Sequence, residues 1–246
     1  MPSVPPESRR PPVLLHEEKG LHRFRIGAWA GLIGVVLAIV LPLALLWLAA
    51  HGPAGVFTLD STLLQYTNWL VIAGALLFLL SLMMYRWGFS ALRKADSRFN
   101  VAIALCWIGS IGFILVVVIA SYFQGSLGSI SACIHGQPTS ILSCLNKLSP
   151  LGAATAAIGF WLGWIGSLGV VIGLVLGGGR ISSVLLTVGG VLYTLLLVVL
   201  VLPFASQLTH IPGLEYIVVL APLFGILAPI FVLGGAHRAE ETMATG

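Results

Sequence analysis

The chain has 246 residues, of which 58% are hydrophobic and 8% are charged, and its mean hydropathy is +1.05. So few polar side chains cannot cover a water-facing surface, and the long continuous apolar runs exclude a β-barrel, so the composition predicts an α-helical integral membrane protein. The formal net charge is +4, but the basic residues lie between the apolar runs, which indicates membrane topology rather than binding to nucleic acid.

The apolar runs predict an all-α, polytopic helix bundle with six transmembrane helices. Each run is long enough to cross about 30 Å of hydrocarbon as a helix. These runs form one transmembrane domain, residues 26–236, between tails formed by residues 1–25 and 237–246. The predicted spans are residues 26–50, 68–85, 101–122, 152–177, 183–205 and 216–236.

The N-terminal tail is proline-rich from Met1 to Pro12, a composition typical of disorder. From Leu14 the pattern predicts an amphipathic lead-in at the membrane surface, with Leu21 and Phe24 on its apolar side. The first apolar run is too long for a signal-peptide core. We therefore expect an uncleaved anchor, with a kink at Pro42.

The segment from Arg86 to Asn100 carries apolar residues at helical spacing and basic residues on the other side. This pattern predicts a short interfacial helix whose basic face meets lipid head groups. A partner protein, a specific anionic lipid or simple solvation of that face are the alternatives. The candidate contact residues are Arg86, Arg93, Lys94 and Arg98.

The longest loop outside the predicted spans, Phe123 to Pro150, contains Cys133 and Cys144. Topology places this loop outside the cytoplasm, where disulfides persist. A bridge closing a loop of this length, about a dozen residues, would stabilise the fold by roughly 3 kcal/mol. We therefore predict a disulfide here, whereas Cys106 lies within the third span and is expected to pack as a small apolar residue.

The fourth span is unusually rich in glycine, with small residues recurring every three or four positions. In a soluble helix each glycine would cost about 1 kcal/mol relative to alanine. In a bilayer a glycine face lets a neighbouring helix approach closely, so we expect this face to point into the bundle, although glycine is also common in membrane helices generally. The predicted packing face comprises Gly152, Ala156, Gly159, Gly163, Gly166, Gly173 and Gly177.

The basic residues also predict the orientation of the chain. Of the 12 lysines and arginines, all except Lys147 fall on one side of the six predicted spans. Because cytoplasmic loops carry the excess of positive charge, both termini are predicted to be cytoplasmic.

Asp, Glu, Lys, Arg and His are absent from all six apolar runs. Such groups usually mark proton relays, ion coupling or intramembrane acid–base chemistry, and a serine without a nearby base is not activated as a nucleophile. His51, His135 and His210 lie in three different outer loops, so they could bind a metal only if those loops fold together. We therefore expect no enzymatic activity, no metal and no other cofactor.

Several short motifs resemble those of a known family. The motifs are Gly20-Leu21-x-x-Phe24, Gly88-Phe89-x-x-Leu92-Arg93, the glycine-rich fourth span, Gly189-Gly190 and the proline-broken last span ending in Leu233-Gly234-Gly235. Together they resemble the archaeal multi-pass membrane proteins of the domain-of-unknown-function 973 family. The resemblance implies an archaeal cell-membrane protein with no assigned catalytic residue. The loop with Cys133 and Cys144 departs from the family pattern.

These observations lead to one main functional hypothesis and two alternatives. The main hypothesis is a non-enzymatic accessory or scaffolding subunit, whose partners are the lipid bilayer and other membrane subunits or a second copy. The first alternative is a transporter or channel for a neutral or apolar solute, because a last span broken at Pro222 and Pro229 could expose carbonyls to a cavity. A metal or redox site formed by the outer histidines and cysteines is the weaker alternative.

Overall fold

The computed structural model describes residues 12–51, 61–124, 149–209, 217 and 219–245. Within these ranges the regular structure is entirely helical. Six helical stretches among the described residues are long and apolar enough to cross a membrane, which confirms an all-helical, multi-pass chain. The elements are α1 (Pro12–Val35), a π-helical turn (Val36–Val40), α2 (Leu41–His51), α3 (Ser61–Leu92), α4 (Phe99–Phe123), α5 (Pro150–Ile181), α6 (Val184–Thr209) and α7 (Ala221–Thr245).

The first helix begins well before its apolar run. It starts at Pro12, and the side chains of Leu21 and Phe24 are fully buried. The ring of Phe24 lies 5.1 Å from the ring of Phe89, measured between centroids. The prediction of an amphipathic lead-in on the membrane surface is therefore wrong, because its apolar residues pack into the bundle instead of the lipid.

The predicted interfacial helix between the second and third spans is also absent as a separate element. Helix α3 continues to Leu92, and residues 93–98 form turns before α4 begins at Phe99. The apolar side chains of Phe89, Leu92 and Phe99 are buried in the core. These residues recur at helical spacing because they contact neighbouring helices rather than the membrane surface.

A π-helical turn accommodates the proline in the first span. The amide of Leu41 donates to the carbonyl of Val36, five residues earlier, immediately before Pro42. Proline lacks an amide proton, and its ring collides with the carbonyl four residues before it in a regular α-helix. The wider turn removes that collision, and the helix continues to His51.

The last span is not broken by its prolines. Pro222 occupies the first turn of α7, where its missing amide proton has no helical acceptor to lose. Pro229 is fully buried inside the same helix, which runs on to Thr245. The predicted interruption is therefore wrong, and most of the predicted tail from residue 237 onward belongs to α7.

The membrane-length helices form a closed ring. Each packs against the next along the chain, and α7 packs against α1. Two adjacent glycines of α6 lie in two of these helix–helix contacts. A Cβ on Gly189 would lie 2.7 Å from a methyl of Val232 on α7, and one on Gly190 would lie 3.4 Å from the Cβ of Leu174 on α5.

The backbones of α4 and α5 touch at the centre of their contact. A Cβ on Gly109 would lie 2.5 Å from the Cα of Gly166, and a Cβ on Gly112 would lie 2.7 Å from the carbonyl oxygen of Gly159. Six of the seven residues of the predicted packing face are buried, and Ala156 is half-buried. On the same helix, Trp161 is 41% exposed, as expected for a lipid-facing side chain.

Helices α1 and α3 use a second series of small residues. Gly20, Gly27 and Gly34 recur every seven positions, and a Cβ on each would lie 3.3 Å from a carbonyl oxygen of α3. This repeat is typical of helices that pack along a left-handed seam, here between antiparallel neighbours. The facing residues on α3 are Gly88, Ser81 and Gly74.

We predict that Gly166→Ala destabilises the bundle, because the new methyl group would overlap the backbone of Gly109. Overpacking of this kind costs about 1–3 kcal/mol. The matched control is Gly179→Ala on the same helix, since a Cβ at Gly179 meets nothing within 4 Å. Unfolding of both variants in mild detergent should show a loss of stability for Gly166→Ala alone. Equal stability of the two variants would contradict the backbone contact.

Candidate functional site

The helix ring encloses a cavity of about 330 Å³. This volume lies near the lower end of the range of about 300–1,000 Å³ that is typical of small-molecule sites. The first span and α3, α4, α5 and α6 line the cavity, whereas no described residue of α7 does. The lining side chains with aromatic rings are Phe78, Tyr85, Phe113, Phe160, Trp164 and Tyr193.

Three glycines of the cavity wall bring the helices together. Gly31, Gly159 and Gly163 lie in the wall, and a Cβ on each would lie 3.1–3.4 Å from an atom of a neighbouring helix. Gly163 also allows Gly112 of α4 to approach the α5 backbone.

A buried cluster of aromatic rings begins at the cavity wall. The ring of Tyr85, which lines the cavity, lies 6.1 Å from that of Phe89, which in turn lies 6.0 Å from that of Phe99. All three side chains, together with Phe24, are at most 1% exposed. Of these four rings only that of Tyr85 borders the cavity.

The cavity wall is apolar apart from a few hydrogen-bonding groups. Among the described residues that line it there is no Asp, Glu, Lys, Arg or His. Three donors in the wall are paired with backbone carbonyls: Ser81 Oγ with Gly27 at 2.7 Å, Ser167 Oγ with Gly163 at 3.0 Å, and Trp164 Nε1 with Leu197 at 3.0 Å. The other two polar groups of the wall are the hydroxyls of Tyr85 and Tyr193, whose side chains lie beside each other with their ring centroids 6.5 Å apart.

Charged residues join α1 to three other helices at the basic end of the bundle. Arg25 Nη1 lies 2.6 Å from Glu240 Oε2 on α7, and Arg180 Nε of α5 lies 3.5 Å from Glu17 Oε1. In addition, Arg23 Nη1 donates to a backbone carbonyl of α3 at 2.8 Å. The beginning of α1 and the end of α7 therefore meet at the same end of the ring.

Three of the four basic candidates, Arg86, Lys94 and Arg98, contact other residues of the chain. The guanidinium carbon of Arg86 lies 4.0 Å from the centroid of the Trp107 ring, a cation–π geometry. Lys94 Nζ lies 3.4 Å from His16 Nε2. Arg93 is exposed and forms no ion pair with any residue in the described part of the chain.

The fourth candidate, Arg98, forms an ion pair with a carboxylate in the same turn. Its Nη2 lies 2.8 Å from Asp96 Oδ2, and its Nε and backbone amide also donate to that carboxylate. These hydrogen bonds hold the pKa of Asp96 below its ordinary value of 3.8. The pair orders the turn between α3 and α4, and it leaves Arg98 itself largely exposed.

Cys133, Cys144, His135 and His210 lie outside the described residues, so the predicted disulfide and the outer metal site stay predictions. His51 is the last residue of α2. Within the described ranges, no group of three or more His, Cys, Asp or Glu residues is placed to hold a metal ion. Cys106 is buried in the core, in the packing position that its sequence context predicts.

Sequence reasoning missed the cavity and the residues that line it. The predicted second span ends at Tyr85, whereas this residue lies inside α3, seven residues before the helix ends. Residues of five helical segments line the cavity, so no single stretch of the sequence marks it.

Comparisons with known proteins identify no relative of this chain. No protein-family model, no curated protein sequence and no solved structure matches the chain. The resemblance to the domain-of-unknown-function 973 family, and the archaeal origin that it implies, therefore stay predictions.

We predict that Arg25 and Glu240 are energetically coupled, because their ion pair joins the first helix to the last. Both side chains are partly exposed, so the coupling should be about 1 kcal/mol or less. The measurement is a double-mutant cycle of Arg25→Gln and Glu240→Gln, followed by thermal unfolding in detergent. The control cycle pairs Arg25→Gln with Glu241→Gln, and a coupling no larger than in that control would show that the pair contributes nothing.

Proposed function

We propose that this chain is a non-enzymatic membrane protein whose interior cavity binds a neutral, mainly apolar molecule, as part of a carrier or channel. The cavity of about 330 Å³ inside the helix ring is the observation that supports this proposal. It lies among the membrane-length helices.

The lining chemistry favours a neutral ligand. A charged molecule would lose its hydration on entering, and the described lining residues offer no opposite charge in return. The serine hydroxyls of the wall donate to backbone carbonyls, and the described lining residues include no histidine or carboxylate that could act as a base beside them. This arrangement supports binding rather than catalysis.

The accessory or scaffolding role expected from the sequence remains a separate hypothesis. It was motivated by the glycine face of the fourth span, which packs against α4 of the same chain. The face is therefore not free to recruit another subunit. Mild-detergent purification that yields a monomer with no copurifying partner would count against this hypothesis.

We predict that filling the cavity with Ser167→Leu weakens the binding of a small apolar probe by about tenfold or more. The probe is benzophenone, which labels nearby C–H groups under ultraviolet light, so that mass spectrometry identifies the site. Binding is measured as concentration-dependent labelling of the purified protein in nanodiscs. Labelled peptides should come from the cavity walls of α1, α5 and α6.

The matched control for this experiment is Ser121→Leu. Ser121 is exposed on α4, and its hydroxyl donates to the carbonyl four residues earlier, as that of Ser167 does. The two substitutions therefore remove the same hydrogen bond and add the same side chain. Unchanged labelling in both variants, or labelling confined to the lipid-facing surface, would overturn the proposed function.

We also propose that the protein lies in the cell membrane with both termini in the cytoplasm, as the distribution of basic residues predicts. A protease-cleavable tag fused to either end should be protected in intact cells and cut after permeabilisation. Cleavage of one tag in intact cells would contradict this orientation.

A further inference from the structure

Arg86 is a charged side chain that lies within a membrane-length helix. It stands on α3, six residues before that helix ends, a distance of about 9 Å along the helix axis. The side chain is partly buried, and it forms no ion pair or hydrogen bond with any residue that the structure describes. A guanidinium carries five N–H donors, so removing part of it from water without an acceptor is costly.

The indole of Trp107 on α4 holds this guanidinium on the outer surface of the bundle. The guanidinium carbon of Arg86 lies 4.0 Å from the centroid of the Trp107 ring and 6.0 Å from that of the Trp87 ring. Trp107 is 51% exposed, whereas Cys106 beside it is buried in the core. A guanidinium that stacks on an aromatic face keeps the N–H groups of its edge available for another partner.

The chemistry of this groove between α3 and α4 fits a phospholipid. Phosphate oxygens match the planar N–H fork of arginine, and they would supply the acceptors that Arg86 lacks. Along α4, Ile111 and Ile114 follow Trp107 at helical spacing, away from the basic end, and they are 52% and 45% exposed. An acyl chain can therefore lie along the same face of α4 while the phosphate contacts Arg86.

The charges around the groove favour a head group with a net negative charge. The cationic half of a zwitterionic head group would gain from a free carboxylate beside the site. The turn between α3 and α4 carries one carboxylate, that of Asp96, and it is already bound to Arg98. Arg93 and Lys94 in the same turn add positive charge instead.

We infer that the groove between α3 and α4 binds an anionic phospholipid, with the Arg86 guanidinium donating to its phosphate and Trp107 positioning the guanidinium. This site is separate from the interior cavity, since neither residue lines that cavity. It is also narrower than a basic helix face, because one arginine beside two tryptophans recognises the head group.

The affinity for the first bound lipid tests this inference. Native mass spectrometry of the delipidated protein in detergent gives that dissociation constant during titration with dioleoyl phosphatidylglycerol or dioleoyl phosphatidylcholine. The native protein should bind the anionic phosphatidylglycerol about tenfold more tightly than the zwitterionic phosphatidylcholine. Equal affinity for the two lipids would overturn the inferred ligand class.

The Arg86→Gln variant should bind phosphatidylglycerol about tenfold more weakly and lose the preference, because the charged donor is gone. The matched control is Arg93→Gln, which removes the same charge from an exposed side chain at the same end of the bundle. Its affinity should stay within about twofold of the native value. Trp107→Leu keeps the charge but removes the stacking surface, and it should weaken binding about threefold.

The outcomes separate a built site from diffuse attraction. Unchanged phosphatidylcholine binding shows that each variant is folded. Equal losses in Arg86→Gln and Arg93→Gln would mean that the whole basic end attracts anionic lipid, which overturns the site. Unchanged phosphatidylglycerol binding in Trp107→Leu would overturn the positioning role of the indole. Because these variants leave the cavity wall intact, benzophenone labelling of the cavity should persist in all of them, and the two proposals can fail independently.

Discussion

Contact between the backbones of α4 and α5 is the constraint on which the rest of the structure depends. In lipid there is little hydrophobic gain from bringing two apolar helices together, so association depends on van der Waals packing and on how closely the axes approach. Gly109, Gly112, Gly163 and Gly166 remove the side chains that would keep the helices apart. The glycine series of α1 against α3 follows the same principle, so several neighbouring pairs in the ring are joined through small residues.

Close packing through glycine leaves a cavity whose wall consists mainly of large side chains. The three glycines in that wall each face an atom of a neighbouring helix, so the open space lies between the larger side chains. Several bulky side chains, such as that of Trp161, face outward instead. Beside the cavity the rings of Phe24, Tyr85, Phe89 and Phe99 form a buried cluster, in which only Tyr85 borders the open space.

Some of this architecture could be predicted from the sequence, for identifiable physical reasons. The length of an apolar run indicates how much of a helix contacts lipid, so the runs predict six spans. They do not predict where the helices end, since α3 continues through Arg86 and α7 through Glu240. The periodicity of the fourth span showed a small face without showing that α4 would cover it, because one sequence carries no pairing information. The cavity could not be predicted, because residues of five spanning segments that are distant in sequence converge to form it.

Closure of the ring between α1 and α7 has a consequence for how the protein is made. Helix α1 is synthesised before α7, yet the two become neighbours through the Arg25–Glu240 pair and the contact of Val35 with Gly225. Until α7 has entered the membrane, the flank of α1 that it covers stays open to lipid. The ring therefore closes only after α7 has been made, and a chain cut short before residue 221 keeps that flank of α1 uncovered.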